Sequence, residues 1–353
     1  MSEVTWYERG TNPDEVATEL RETLNRLHAE DETLVPARAL NLVVIVNREW
    51  KGEIANRLER IGGINASRTI LCGVQEGHGS IDARVLMRSD SSAGGIGVLT
   101  ERIELDIDTA YLSRLDTIID PLVITEIPTV LWSPHSLDEA VEVLLPMIDV
   151  ILIDSDEPAF FDGAWAALRR AHELCQSVYV VDLAWLRTTP WRERLAAAFD
   201  DRDRRAQLDL LRAFAVRHHP ESIVSAVLLT GWLSSRLHWI AEPLEIAPGG
   251  RLRGGAKSAA LSRIELGFDP VNMTVRGIAG VSVASSSGFS LSLDRGSGGM
   301  VARQMAPATG LREWRILGAS RGEGGILGEG VRQALLRDPT YLPSLVAARS
   351  YEP

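Results

Sequence analysis

The chain has 353 residues, 45% of them hydrophobic and 24% charged, the balance of a folded globular protein too long for one simple core, so two domains are expected. Its net charge of −11 argues against a nucleic-acid binder, which needs a basic face, and against adhesion to an anionic membrane surface. No stretch is apolar for long enough to span a bilayer and the first ten residues do not read as a signal peptide, so a cytoplasmic protein is expected.

Asn12-Pro13-Asp14-Glu15 opens the first helix with a capping side chain, a proline in the first turn and an acid three residues beyond the cap. Val16, Leu20, Leu24 and Leu27 then recur at helical spacing. Residues 40–46 are an almost unbroken run of leucine and β-branched side chains, the pattern of a strand buried on both faces. A helix is expected over 52–61, strands over 69–74, 81–87 and 97–108, and a helix over 109–119. Short strands over 129–132 and 150–154 flank a helix over 137–145. A helix over 165–175 leads into a strand over 177–182. This alternation predicts a mostly parallel sheet flanked by helices.

Helices are then expected to take over, one starting at Thr189-Pro190 with Trp191, Leu195 and Phe199 on one face, the next over 205–217. A longer helix over 222–239 carries Ala226, Gly231 and Ser235, small residues where another element can approach closely. Residues 242–260 shift to proline, glycine and basic side chains and read as a linker or long loop. Short runs over 262–268, 280–284, 289–293 and 314–317 predict a small antiparallel sheet, closed by a helix over 330–336. The expected organisation is an α/β domain over 1–241, a linker over 242–260 and a smaller β-rich C-terminal domain over 261–353.

The motifs that would make this chain an enzyme are incomplete. Gly318-Ala319-Ser320-Arg321-Gly322 matches a nucleophile elbow, but the histidine that must take the serine proton lies downstream in that arrangement, and the last histidine here is His238. Gly254-Gly255-Ala256-Lys257-Ser258 has alanine where a phosphate-binding loop needs glycine before its lysine. The glycines at 94, 95 and 97, and at 322, 324, 325 and 328, miss the dinucleotide-binding spacing. No catalytic residue, cofactor site or metal site is therefore expected, and His218-His219 lacks further ligands at metal spacing. Cys72 and Cys175 read as buried single thiols. Asp154-Ser155-Asp156-Glu157 follows a strand, where α/β proteins place functional groups, although capping acids explain it as well. Arg68 could grip an anion, or pair with one of the 48 acidic residues. An alternative reading is thus a sugar-phosphate enzyme with a cleft around Asp154, Asp182 and Arg68.

Two segments stand out. Residues 182–193 read DLAWLRTTPWRE and residues 231–239 read GWLSSRLHW; six of the nine tryptophans lie between 132 and 239. Tryptophan and arginine anchor interfaces because each covers a large area and keeps a polar handle, although core tryptophans rimmed by arginine give the same composition. Both segments closely resemble the glucose-6-phosphate dehydrogenase assembly protein family (OpcA). The likeness extends to residues 42–46, 67–70, 127–132, 150–155 and 336–341. The resemblance implies a non-catalytic partner that binds glucose-6-phosphate dehydrogenase and promotes its active oligomer, with no cofactor of its own. Ser133 stands where many members carry a second tryptophan. The cysteines tied to redox control in cyanobacterial members have no obvious counterpart pair, so redox regulation is not expected here. On this reading Arg187, Trp191, Arg192, Arg236, Trp239, Trp132 and Arg68 are the partner-binding candidates. Trp185, Pro190, Gly231 and Trp232 are expected to be structural.

Overall fold

The computed structural model describes residues 2–36, 38–62, 67–91, 97–135, 137–157, 161–318 and 323–353. In chain order the first half forms β1 (Ser2–Glu8), α1 (Pro13–Glu30), β2 (Leu34–Pro36), β3 (Leu40–Asn47), α2 (Lys51–Gly62), β4 (Ser67–Val74), β5 (Asp82–Ser91), β6 (Gly97–Ile107), α3 (Leu115–Ile119), β7 (Thr129–Trp132), α4 (Asp138–Leu144), β8 (Val150–Ile153), α5 (Phe161–Leu174) and β9 (Tyr179–Asp182). The second half forms α6 (Leu183–Ala198), α7 (Arg202–Arg205), β10 (Leu211–His218), α8 (Ile223–Leu237), β11 (Ile240–Ala241), β12 (Glu245–Ala247), β13 (Arg251–Lys257), β14 (Arg263–Pro270), β15 (Ile278–Ser285), β16 (Ser290–Gly296), β17 (Gly299–Ala306), β18 (Gly310–Leu317), α9 (Glu323–Gln333) and α10 (Tyr341–Arg349).

These elements fall into two compact units, the first comprising 1–153, 177–181 and 327–337, the second 154–176, 182–326 and 338–353. In the first unit a sheet runs β1-β5-β6-β4-β3-β7-β8-β9, with β2 beside β6. The strands β6, β4, β3, β7 and β8 are parallel to their neighbours in that row, while β5 and β1 add an antiparallel edge. The apolar run makes β3 central, and its side chains from Leu40 to Val46 are buried. Asn12 caps α1 by accepting from the Glu15 amide at 3.0 Å, and Val16, Leu20 and Leu27 turn inward as their spacing requires. The α/β architecture with a β-rich C-terminal region ending in a helix matches the sequence expectation.

The second unit holds a sheet ordered β11-β13-β14-β10-β15-β16-β17-β18, with β12 on β13. It is antiparallel throughout except between β10 and β14. Three sequence expectations give way here. The helix expected over 205–217 does not form: α7 ends at Arg205, residues 208–210 make a single 3-10 turn, and from 211 onward the chain becomes β10, in the middle of the sheet. Phe214, Val216 and His218 alternate inward once β14 and β15 supply hydrogen-bond partners on both sides. Residues 242–260 are no linker, because β12 and β13 occupy most of them, and the unit boundaries fall elsewhere than at 241. The glycines that suggested a loop are needed for packing: a Cβ at Gly254 would lie 2.7 Å from Leu244 Cδ2. Finally, α6 begins at Leu183 rather than at Thr189-Pro190, and Pro190 lies inside it. At the C-terminus the expected helix over 330–336 is displaced toward α9, and α10 follows as the closing element.

Candidate functional site: a buried arginine–carboxylate centre

Asp182 ends β9 and caps α6, so the first motif starts where strand turns into helix. Its Oδ1 accepts from the Ala184 amide at 2.9 Å and the Ser155 amide at 3.1 Å, and its Oδ2 from the Tyr341 hydroxyl at 3.0 Å. Beyond the cap, Arg187 meets the acid run. Its Nη1 and Nη2 donate to the two oxygens of Asp154, each at 2.7 Å, and Nη1 lies 3.4 Å from Asp156 Oδ2. This two-pronged geometry is the strong form of the arginine–carboxylate pair. Asp156 accepts from the Ser225 hydroxyl at 2.5 Å and the Ser225 amide at 3.0 Å, which fastens α8 to the same centre.

Two carboxylates, Asp154 and Asp156, thus share one guanidinium, while Asp182 is tied to the same loop through the Ser155 amide. Burial pushes Asp182 up to about 6, against the hydrogen bonds from Ser155 and Tyr341 that favour its charge. Burial likewise raises Asp156, with Arg187 pulling the other way. The centre cross-links the 154–157 loop, α6, α8 and α10 within the second unit. Among the described residues it holds no serine–histidine or cysteine–histidine pair.

Next along the helix, the Trp185 indole donates to Asp338 Oδ2 at 2.8 Å, and the Arg192 guanidinium lies 3.6 Å from the Trp185 ring centroid. Arg192 also reaches the Thr188 and Thr189 hydroxyls, both at 2.9 Å, and stands 3.6 Å from Asp338. Burial acts to raise Asp338, yet the hydrogen bonds from Thr340 and Trp185 and the Arg192 charge outweigh it, leaving its pKa low.

The second motif forms α8 and its cap. Gly231 is where α10 crosses: a Cβ there would strike the Ser344 carbonyl oxygen and lie 2.8 Å from Ala348 Cβ, so the small residue permits the approach the sequence anticipated. His238 takes the left-handed conformation at φ 54° that ends the helix, and Trp239 turns back edge-on against Phe214 of β10 at 6.4 Å.

Most partner-binding candidates are therefore interior. Arg187, Trp191, Trp132, Arg68 and Trp239 are buried, whereas a direct partner contact would need Arg187 and Trp191 at least partly exposed; Arg192 is half-buried and Arg236 exposed. Arg68 belongs to the first unit, where it donates to Glu101 Oε2 at 2.8 Å and to the Leu122 carbonyl at 3.1 Å. Its guanidinium is spent on these partners and offers no free grip for an anion. Glu101 is the residue the sequence reading missed. Its signal was legible: in β6, Leu99, Glu101, Ile103 and Leu105 alternate inward, so an acid stands in an apolar series. Trp185 and Gly231 are buried, while Trp232 and Pro190 are half-buried. Burial raises the Cys72 thiol to about 12 and the Cys175 thiol to about 11; Cys175, expected buried, is half-exposed. The residues Ala319 to Gly322 of the elbow-like motif, and the glycines at 94 and 95, lie outside the described residues. Gly254 to Lys257 are strand, not loop.

The strand row β6-β4-β3-β7-β8-β9 follows the classical order of dinucleotide-binding α/β units, in which a glycine-rich turn after the first parallel strand receives the pyrophosphate. Here that turn, after β3, reads Asn47-Arg48-Glu49-Trp50-Lys51-Gly52. The Lys51 ammonium is buried on Asp106 at 2.7 Å, Arg48 reaches the same carboxylate at 2.9 Å, and the Trp50 ring stacks on His135 at 5.2 Å. The architecture is that of a dinucleotide-binding-type α/β unit accompanied by a large antiparallel sheet. A variant of KijD10, a 3-ketoreductase from Actinomadura kijaniata solved with TDP-benzene and NADP, shares this fold at a TM-score of 0.50 and 10% identity, over 88% of this chain and 94% of that one. The sequence itself matches the glucose-6-phosphate dehydrogenase subunit N-terminal domain over residues 58–173 and its C-terminal domain over 178–344, so the chain belongs to the OpcA family. It is similar to the OxPP cycle protein OpcA of Synechococcus elongatus, 25% identical over 246 residues, covering 68% of this chain and 52% of the relative. The protein of that name from Synechocystis is 27% identical over 155 residues, 43% of this chain and 32% of the relative. The chain thus spans about half or less of these curated relatives.

Proposed function

We propose that this chain is a non-catalytic accessory protein that binds glucose-6-phosphate dehydrogenase in the cytoplasm, promotes its active oligomer and so favours NADPH formation in the oxidative pentose phosphate pathway. Membership of the OpcA family across both domains carries this reading. The turn after β3 supports the non-catalytic part. Arg48 and Trp50 stand where glycines would let a pyrophosphate approach the backbone, and Arg48 and Lys51 are both engaged by Asp106. The acids of the second unit support it too, being spent on Arg187, backbone amides and hydroxyls. Arg192, half-buried, and Arg236, exposed on the last turn of α8, remain the motif arginines able to face a partner.

The test is to assay the dehydrogenase of the same organism with and without the purified chain, while following its mass in solution. Higher activity together with a larger dehydrogenase assembly is the expected result. Unchanged activity and mass at micromolar concentrations of both proteins would reject the proposal. The chain alone is expected to turn over neither glucose 6-phosphate nor NADP.

A further inference from the structure

The last strand of the second sheet, β18, carries the sequence Gly310-Leu311-Arg312-Glu313-Trp314-Arg315-Ile316-Leu317 and, among the described residues, pairs on one side only, with β17. All of its residues but Ile316 are exposed, including Leu311 at 64%, Trp314 at 37% and Leu317 at 79%. A long apolar edge strand is a template for adding another strand, and proteins that stay monomeric usually blunt it.

The backbone fixes which registers are open to such an addition. Beyond the strand end, the Gly318 amide donates to the Gly298 carbonyl at 3.2 Å, so that pair is hydrogen-bonded across the β17–β18 ladder. Bonded and non-bonded pairs alternate in an antiparallel ladder. Arg312, Trp314 and Ile316 therefore aim their amides and carbonyls at β17, while Leu311, Glu313, Arg315 and Leu317 aim theirs outward. A two-fold pairing of β18 with itself must match outward residues to outward residues, so only every second register is allowed. Centring on Glu313 sets two carboxylates face to face, and centring on Arg315 sets two guanidinium groups face to face; both are unfavourable. Centring on Trp314 sets Glu313 opposite Arg315 twice, Leu311 opposite Leu317 twice, and the two indoles opposite each other at the axis. Arg315 makes no ion pair among the described residues, and Glu313 already draws on Arg303 at 2.8 Å, so the new pair extends an existing charge ladder. The charges of the strand, Arg312 and Arg315 against Glu313, leave it at +1 while the whole chain carries −11, so this edge escapes the repulsion between two copies.

We infer that β18 is a self-association edge, joining two copies of this chain antiparallel about a two-fold axis at Trp314. The full chain is measured alone by sedimentation from about 1 to 100 μM. A concentration-dependent dimer is expected. Glu313→Arg and Arg315→Glu should each weaken it by about tenfold or more, because each puts like charges opposite, and the double exchange should restore it to within about threefold. Near-ultraviolet circular dichroism and melting of each variant report whether the fold is kept. Trp314→Cys should form a disulfide-linked dimer on oxidation, since non-bonded partners bring their Cα atoms to about 4.5 Å. Arg312→Cys, whose opposite residue is Ile316, should not, and the unmutated chain oxidised in parallel controls for Cys72 and Cys175. A chain monomeric throughout the range, or a dimer indifferent to Glu313→Arg, overturns the inference. So does a monomer whose Glu313→Arg variant loses the dehydrogenase, which would give the edge to that partner.

Discussion

The α6 motif and the β18 edge invert what their sequences suggest. DLAWLRTTPWRE is the most distinctive stretch of the chain, rich in the side chains that dominate interfaces, yet most of it is inside. GLREWRIL is unremarkable as a sequence and lies almost wholly in solvent. Tryptophan and arginine serve a core and an interface for the same reason, namely large contact area with a polar end that must be satisfied. Which role they take is decided by whether their partners come from the same chain. Asp154, Asp156 and Asp338 supply those partners for α6, whereas the outer edge of β18 meets none among the described residues.

The sharpest break of that contrast would come from Arg187→Ala. It leaves the buried Asp156 and the half-buried Asp154 without their guanidinium, and a loss of about 3–5 kcal/mol of folding stability is expected in chemical denaturation. Trp191→Ala should cost a similar amount, about 3–5 kcal/mol, because its indole is buried. If either variant melts like the parent yet fails to bind the dehydrogenase, the motif faces the partner after all.

A smaller effect is tied to pH. The folded pKa of Asp182 is about 6, above the unfolded value of about 3.9, so the folded state holds this proton more tightly. Its stabilising contribution is complete below pH 4 and is lost as pH rises through 6, by a total on the order of 2–3 kcal/mol. Asp182→Asn has no such proton to lose. Its stability relative to the parent should therefore improve from pH 4 to pH 7, and a difference constant with pH would refute the assignment.

Arg192→Ala, which removes a stacked cation and two hydroxyl contacts, is expected to cost about 1–2 kcal/mol and to weaken dehydrogenase binding in a pull-down. Least of all, Arg236→Ala should leave the melting temperature nearly unchanged, within about 0.5 kcal/mol, while weakening the complex. Were Arg236→Ala to destabilise the chain more than Arg192→Ala, the division between interior and surface arginines would be misplaced.

The sequence by itself determined the parallel half of the molecule and one packing detail. A strand buried on both faces must be apolar along its whole length, so residues 40–46, 129–132 and 150–153 announce themselves without any partner in view. Asn12 capping and the close approach at Gly231 are likewise local requirements written in single residues. Tertiary structure alone decided β10 and β13, because a mixed run such as residues 211–218 becomes a strand only when neighbours 50 or more positions away offer their backbones. It also decided the fate of the arginines. Arg187 is interior because Asp154, 33 residues earlier, is brought to it, and Trp185 because Asp338, 153 residues later, receives its indole proton. A charged side chain is buried only where an opposite charge or hydrogen-bonding groups are brought to it, and no local pattern records which distant partner that will be.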